Sequence, residues 1–290
     1  MTPVTGPFPL GHEVVAEVVE VGPAVADVAP GDLVSVAFQI SCGSCVRCRR
    51  GETGRCQQVT AGSSYGMGQL GGGVRRCARG CPARPVRRRH VPGTASGRRR
   101  GGRRGTGGQS ERRLADGGAA PEGRLGAAGS GVRTRFDRPL YATATARALG
   151  AEVTYVDPNE ENCAVAEQLG ATVECRTLRA RTRSHPIVVN SSGDEAGLRS
   201  ALRSTQAGGV LTDTGIYFGN DVSLPMLEMY AKGVTLVTGR ANVRPDMPAA
   251  LAEVLAGRLR ADLVVTRTAD WEQAPELWGT PGGKLVLVRQ

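Results

Sequence analysis

The 290-residue chain has few aromatic residues and almost no lysine, so its positive charge comes almost entirely from arginine. Aromatic side chains make up 4% of the sequence, so the cores must be built from Val, Leu and Ala. No run of about 18 apolar residues occurs, and no membrane span is expected. No charged segment followed by an apolar stretch opens the chain, so no secretory signal is expected. A cytoplasmic, reducing location is predicted, which favours metal binding over disulfides for clustered cysteines.

The charge is unevenly distributed along the sequence. The formal net charge is +10, and only Lys232 and Lys284 among the 37 basic residues are lysines. Residues 74–140 contain 18 Arg and four acids, a local net charge of +14 that leaves −4 for the rest of the chain. Strong preference for Arg over Lys is typical of a GC-rich gene and says little about function.

Residues 74–140 also differ in composition from both flanking regions. Arg, Gly, Ala and Pro supply 45 of these 67 residues, without a hydrophobic period of a strand or helix. Ordering a residue costs about 1–2 kcal/mol, which such a segment cannot recover by burying apolar surface. We therefore expect it to be disordered or poorly packed.

The flanking regions have the patterns of folded domains. Residues 1–73 indicate β-structure, with strands at 14–21 and 33–38 separated by a Pro-Gly-Asp turn at 30–32. Residues 141–290 alternate helices with short apolar strands, which predicts a parallel doubly wound sheet. The predicted helices are 141–149, 163–169 and 198–206, and the predicted strands are 152–156, 186–189 and the run that begins at 209.

Four cysteines form the strongest motif. Cys42, Cys45, Cys48 and Cys56 have the spacing C-x2-C-x2-C-x7-C. Tetrahedral zinc takes four thiolates at about 2.3 Å, and such short spacings let one loop surround the ion. Four thiolates leave no open coordination position, so a structural zinc is predicted. Unligated cysteines and an iron–sulfur cluster are the alternatives.

The order of motifs along the first 73 residues resembles that of a known family. Gly11-His12-Glu13 opens a Val-rich strand, Pro-Gly-Asp and a second strand follow, and the cysteine loop comes next. This order resembles the zinc-dependent medium-chain alcohol dehydrogenase family. The stretch at 62–67, Gly-Ser-Ser-Tyr-Gly-Met, is similar to its formaldehyde-dehydrogenase-like branch. The resemblance covers about residues 1–73 and 141–290.

The resemblance implies a fold, a reaction and a set of site residues. It implies an α/β chain with a partial GroES-like β-domain and an incomplete Rossmann doubly wound parallel sheet. The expected boundaries are 1–73 for the GroES-like catalytic domain, 74–140 for the Arg/Gly-rich segment, 141–241 for the NAD-binding domain and 242–290 for a return to the catalytic domain. His12 matches the family's zinc-binding histidine, and Glu13 the acid beside it. NAD-linked oxidation of a small alcohol or aldehyde in a homo-oligomer is the implied activity.

Two residue groups match the family's cofactor site. Asp157 ends a predicted strand about twenty residues after the expected position of a glycine turn, where an acid hydrogen-bonds the ribose and favours NAD. A helix N-cap or turn role is the alternative for this residue. Thr214, Gly215 and Ile216 match the segment that packs near the nicotinamide.

The sequence also departs from the family pattern. A cysteine ligand with a Ser or Thr proton relay precedes Gly-His-Glu in the family, and the residues before His12 show no counterpart. The third zinc ligand would fall within 74–140, where Cys77 and Cys81 lack a matching context. No strand is expected before the helix at Tyr141, and the glycines of 126–131 are interpreted as compositional. A structural zinc with impaired catalytic zinc and NAD binding is therefore expected.

Three hypotheses address the composition of residues 74–140 and the departures from the family pattern. A GC-rich gene read out of frame over about 74–140, with a late start site, would yield this composition. An RNA-binding role for the Arg-Gly run at 97–105 is the rival, because arginines neutralise phosphates. No aromatic residue interleaves those arginines to stack bases, so nucleic acid is not the expected partner. A non-catalytic, zinc-bound oligomerising remnant is the third.

Overall fold

A computed structural model describes residues 11–66, 137–177, 183–218 and 221–289, with the backbone of two further strands, Val86–Arg87 and Arg124–Ala128. The packing divides these residues into two compact units. The first holds 11–66, the strand Val86–Arg87 and 240–256. The second holds the strand Arg124–Ala128 and the remaining described residues from 137 onward. Among the described residues, no helix is long and apolar enough to cross a membrane.

The first unit contains a small antiparallel sheet of three strands. The strands are β1 (Val14–Glu17), β2 (Leu33–Val36) and β3 (Val86–Arg87), in the order β1-β2-β3. Asp32 stabilises the turn before β2 by accepting the amide of Ala29 at 2.9 Å. Both strands predicted from the sequence form, but they end earlier than expected, at Glu17 and Val36.

Residues far apart in sequence complete the first unit. Helix α1 (Val46–Arg49) and the 3₁₀ helix Thr53–Arg55 follow β2, and the later helix α6 (Val243–Leu255) joins the same unit. The amide of Val243 donates to the side chain of Gln39 at 3.1 Å, and Gln39 donates back to the carbonyl of Ala241 at 2.5 Å. Residues 242–290 were all predicted to return to the first domain. The packing groups 240–256 with it and 257–289 with the second unit.

The second unit is built on a six-stranded parallel sheet. Its order is β6-β5-β4-β7-β8-β9, so the chain adds three strands toward one edge and then three toward the other. This is the doubly wound order of dinucleotide-binding folds. The strands are β4 (Arg124–Ala128), β5 (Glu152–Asp157), β6 (Thr172–Cys175), β7 (His185–Asn190), β8 (Thr205–Asp213) and β9 (Thr235–Thr238).

Strand β4 corrects one prediction. We expected no strand before the first helix of this unit, and that expectation is wrong. The backbone of β4 pairs in parallel with β5 on one side and β7 on the other, which makes it one of the two central strands. Its sequence, Arg-Leu-Gly-Ala-Ala, has no β-branched or aromatic residue, so strand propensity gave no signal.

Helices connect the strands and cover two separate cores. They are α2 (Arg138–Ala148), α3 (Glu160–Gln168), α4 (Glu195–Ser204) and α5 (Met226–Lys232). Helix α2 begins three residues before the predicted Tyr141, because Pro139 lies in its first turn, where proline is tolerated. One core centres on Tyr155 with α2, α3 and the 3₁₀ helix Ala261–Val264, and the other on Leu211 with α4.

A second, two-stranded sheet completes this unit. Strands β10 (Val265–Asp270) and β11 (Lys284–Val288) pair in parallel, and the 3₁₀ helix Trp271–Gln273 and helix α7 (Ala274–Leu277) lie between them in sequence. Lys284 forms an ion pair with Asp137 at 3.7 Å, which connects β11 to the start of α2.

Candidate functional sites

The four predicted zinc ligands come together in the first unit. The sulfur atoms of Cys42, Cys45, Cys48 and Cys56 all lie within 4.8 Å of one another, and those of Cys42 and Cys48 are 3.9 Å apart. Four thiolates at about 2.3 Å from a tetrahedral ion would be separated by about 3.8 Å. All four are free thiols. The arrangement therefore fits a zinc ion bound by four sulfurs.

Backbone amides of the loop position these sulfurs. The amides of Ser44 and Cys45 donate to the sulfur of Cys42 at 3.4 and 3.3 Å. The amide of Cys48 donates to the sulfur of Cys45 at 3.5 Å, so Cys45 is also the N-cap of α1. The amide of Cys42 donates to the sulfur of Cys56 at 3.4 Å, which closes the loop. These bonds orient the ligands and stabilise negative charge on sulfur, as a metal site requires.

The ionisation of the thiols follows their surroundings. Burial acts to raise the pKa of Cys42, but hydrogen bonds from Ser44 and Cys45 outweigh it and lower that pKa to about 6. Burial, followed by the neighbouring thiol of Cys45, raises the pKa of Cys48 to about 12. A metal ion bound by all four sulfurs would require each thiol to lose its proton, so metal binding should release protons.

His12 and Glu13 lie in the first unit but outside this cluster. The ring of His12 is half-buried and packs edge-on against Phe38, with centroids 5.2 Å apart. Glu13 is exposed. Gly66 packs so closely on Gly11 that a Cβ there would overlap the Gly11 carbonyl oxygen, which locates the Gly-Ser-Ser-Tyr-Gly stretch beside the Gly-His-Glu motif.

The described residues hold a single group of three or more His, Cys, Asp or Glu side chains close enough to bind a metal, and it is the cysteine cluster. Within that part of the chain, His12 is not brought together with two further ligands. Cys77 and Cys81 lie outside the described residues, as do the glycines at 129 and 131 and the Arg-Gly run at 97–105.

Asp157 ends strand β5, as predicted, but its carboxylate is enclosed by the protein. It is 1% exposed and accepts hydrogen bonds from the hydroxyl of Tyr155 and the amide of Asn159, both at 2.9 Å, and from the side chain of Asn162 at 3.1 Å. Burial raises its pKa. The N-cap of α3 is Asn159, so the N-cap interpretation of Asp157 is wrong. Asp157 instead accepts the amide of the residue two positions on, which is the hydrogen bond of an aspartate in a turn.

Thr214, Gly215 and Ile216 directly follow strand β8, next to the end of β7. The amide and hydroxyl of Thr214 both donate to the carbonyl of Asn190, at 2.8 and 3.1 Å, and its hydroxyl also contacts that of Ser191. The amide of Gly215 donates to Asp213 at 3.1 Å, and Ile216 is exposed.

Sequence reasoning missed a polar cluster at this edge of the sheet. The buried side chain of Asn190 donates to Asp213 at 2.9 Å and to the hydroxyl of Tyr217 at 3.2 Å. The run Asn-Ser-Ser-Gly at 190–193, directly after an apolar strand, was the available signal. In doubly wound sheets, ligands bind outside the carboxyl ends of strands where the strand order reverses, here between β4 and β7. The cluster therefore borders the crevice expected for a dinucleotide.

Two family models match this chain in the order of its two predicted domains. The model described as "Alcohol dehydrogenase GroES-like domain" matches residues 2–86, and the model described as "Zinc-binding dehydrogenase" matches residues 140–256. The chain belongs to the zinc-dependent medium-chain alcohol dehydrogenase family. This confirms the family and the α/β fold class predicted from the motifs.

Curated relatives agree with this assignment. A probable zinc-binding alcohol dehydrogenase from Mycobacterium tuberculosis is 28% identical over 290 residues, covering 96% of this chain and 72% of the relative. A glutathione-independent formaldehyde dehydrogenase from Pseudomonas aeruginosa is 47% identical over 68 residues, covering 22% of this chain and 17% of the relative.

Solved structures share the fold along the chain. An alcohol dehydrogenase from Thermus sp. ATN1 superposes with a TM-score of 0.75 at 26% identity, covering 99% of this chain and 86% of that one. A putative zinc-binding dehydrogenase from Sinorhizobium meliloti, bound to NADP, superposes with a TM-score of 0.69 at 20% identity, covering 99% and 85%. The latter likeness shows the fold alone.

Proposed function

We propose that this chain is a zinc-bound alcohol-dehydrogenase-like protein in which NAD-linked oxidation of small alcohols or hydroxymethyl adducts is lost or strongly impaired. The observation that carries the proposal is the cysteine cluster. It is the one metal-binding group of the described residues, and four sulfurs saturate a tetrahedral zinc ion. A catalytic zinc needs an open position at which an alcohol can bind as its alkoxide.

We assign His12 the role of a catalytic zinc ligand and Glu13 that of its neighbouring acid, because both match the Gly-His-Glu motif of the family. Catalytic zinc sites in proteins take three protein ligands. His12 packs against Phe38 without two further ligands in the described part of the chain. One imidazole alone holds zinc weakly, which supports the proposal that a catalytic ion is not retained.

NAD, where bound, would lie across the carboxyl ends of the central strands and accept a hydride from the alcohol. Thr214, Gly215 and Ile216 would lie nearest the nicotinamide, and Asp157 nearest the ribose. Asp157 already accepts three hydrogen bonds from its own unit and is almost fully buried. A ribose hydroxyl would have to compete with these donors, so we expect weak NAD binding.

Self-association and a cytoplasmic location are also part of the proposal. Strand β9, one edge of the six-stranded sheet, carries only Thr, Leu and Val and no charge, whereas the opposite edge strand β6 carries Glu174. Leu227 and Tyr230 on the preceding helix α5 are 81% and 86% exposed. An uncharged edge strand, together with exposed apolar side chains on the helix before it in sequence, favours pairing with a second copy. The free thiols of the cysteine loop suit a reducing compartment.

Metal content and turnover, measured on the same purified chain, test the proposal. We expect about one zinc per chain, with negligible NAD reduction in the presence of small alcohols or formaldehyde adducts. Cys48→Ser should lose this zinc, and His12→Ala should keep it. Two zinc ions per chain together with robust turnover, or loss of zinc in His12→Ala, would overturn the proposal.

A further inference from the structure

Two cysteines of the second unit belong neither to the zinc loop nor to the residues assigned to NAD. Cys163 lies on helix α3 and is 6% exposed, whereas Cys175 is the last residue of the edge strand β6 and is exposed. Both are free thiols. Eleven residues separate them in the sequence, and these contain the end of α3, a turn through Gly170 and strand β6.

Both cysteines approach one backbone carbonyl, that of Asp157. The thiol of Cys163 donates to this oxygen at 3.2 Å. Cys175 is paired with Asp157 across the parallel strands β5 and β6, and the amide of the next residue, Arg176, donates to the same oxygen at 3.0 Å. Helix α3 and the end of β6 therefore converge at the carboxyl end of β5.

The shared approach to the Asp157 carbonyl brings the two thiols near each other. Burial, followed by the neighbouring thiol of Cys175, raises the pKa of Cys163 to about 12. The pair thus combines one protonated, enclosed thiol with one that solvent reaches. Thiol–disulfide exchange needs this combination: an accessible sulfur to attack first and a neighbouring sulfur to resolve the intermediate.

We propose that Cys163 and Cys175 are a redox modification site that forms a reversible intrachain disulfide with a small-molecule disulfide as oxidant. The thiolate of Cys175 attacks one sulfur of the oxidant and expels its other half as a thiolate, leaving a mixed disulfide on Cys175. The thiol of Cys163 loses its proton, attacks the Cys175 sulfur and expels the second half. Two protein thiols and one small disulfide become one protein disulfide and two small thiols, so the protein loses two electrons and two protons.

The disulfide would join α3 to β6 across a short loop. The Cys163 thiol would no longer donate to the Asp157 carbonyl, but the Arg176 amide would remain as its donor. A cross-link restricts the unfolded chain, so the oxidised second unit should melt at a higher temperature than the reduced one.

Oxidation of the zinc-loaded, full-length chain with glutathione disulfide tests the proposal. After alkylation of the remaining thiols, digestion at glutamates separates 162–167, which contains Cys163, from 175–195, which contains Cys175. Mass spectrometry should find these two peptides joined, and dithiothreitol should separate them. A Cys175 that stops at the glutathione mixed disulfide, joins another cysteine or stays alkylatable overturns the proposal.

Two serine variants test which of the two thiols reacts first with glutathione disulfide. In Cys163→Ser the reaction should stop with glutathione on Cys175, because the resolving thiol is gone. In Cys175→Ser the buried Cys163 should stay unmodified. Zinc content should match the unsubstituted chain in both, since neither residue belongs to the cysteine cluster. Glutathione on Cys163 in Cys175→Ser would contradict the assigned order, and the peptide linkage in the unsubstituted chain decides the proposal independently of how well either variant folds.

Discussion

At the scale of single residues, Asp157 combines an expected position with an unexpected environment. Its carboxylate is almost fully buried, and burial raises its pKa despite the donors from Tyr155, Asn159 and Asn162. The folded chain therefore binds a proton on Asp157 more tightly than the unfolded chain does. Stability from this group is present below the ordinary aspartate pKa of about 3.9 and is lost as pH rises through the raised value.

Asp157→Asn should remove this pH dependence. Urea unfolding of both proteins across a pH series above about 4 measures the difference in their unfolding free energies. We expect the unsubstituted chain to lose stability relative to the variant as pH rises. Zinc release at acid pH affects both chains alike and cancels in the comparison. If the unfolding free energies of the two proteins changed with pH in parallel, the pKa of Asp157 would not be raised in the folded chain.

The residues of the zinc loop could be predicted from the sequence, and those around Asp157 could not. Cys42 and Cys56 are 14 positions apart, so the ligands must share one loop, and their chemistry leaves few alternatives. The position of Asp157 at a strand end followed from local pattern. Its enclosure depends on Tyr155 and Asn162, whose side-chain directions are fixed only when the helix and strand pack together.

At the scale of elements, Lys232, one of the two lysines of the chain, stabilises the end of a neighbouring helix. The ammonium of Lys232, at the end of α5, donates to the carbonyls of Arg203 and Thr205 at 2.8 and 2.9 Å. These carbonyls lie at the carboxyl end of α4, where the helix leaves its last carbonyls without intrahelical partners and has partial negative charge. Lys232 therefore connects two helices through the end of one of them.

Lys232→Met should destabilise the second unit by about 1–2 kcal/mol, because it keeps the alkyl stem but removes the charged donor. The unfolding free energy from urea titration measures the loss. Arg260→Met is the matched control, since Arg260 pairs with Asp262 in an exposed ion pair and should change stability little. Equal effects of the two substitutions would refute a capping role for Lys232.

Strand β4 shows where prediction of elements fails. A Gly- and Ala-rich strand has no pattern of its own, and it forms because β5 and β7 provide backbone partners on both sides. Amphipathic and apolar elements such as α4 and β7 were recognised, with boundaries shifted by a few residues. The sequence pattern therefore reports side-chain burial, whereas β4 depends on hydrogen bonding between backbones.

At the scale of the whole molecule, self-association through the β9 edge can be measured directly. We expect sedimentation of a dimer that dissociates on dilution. Leu227→Glu should shift the equilibrium to monomer, because it introduces charge into the exposed apolar surface. Leu149→Glu is the control, since Leu149 is also exposed, at 65%, but lies at the end of α2. A monomer at all concentrations, or equal effects of both substitutions, would contradict the proposed edge.

The bonds between Gln39 and residues 241 and 243 have a consequence for synthesis of the chain. These partners are 202 and 204 positions apart. At about 5–20 residues per second, Gln39 is synthesised about 10–40 s before its partners. The cysteine loop needs only residues 42–56, so a nascent chain can capture zinc during that interval. The metal-bound loop would then be a preformed docking surface on which the late helix α6 completes the first unit.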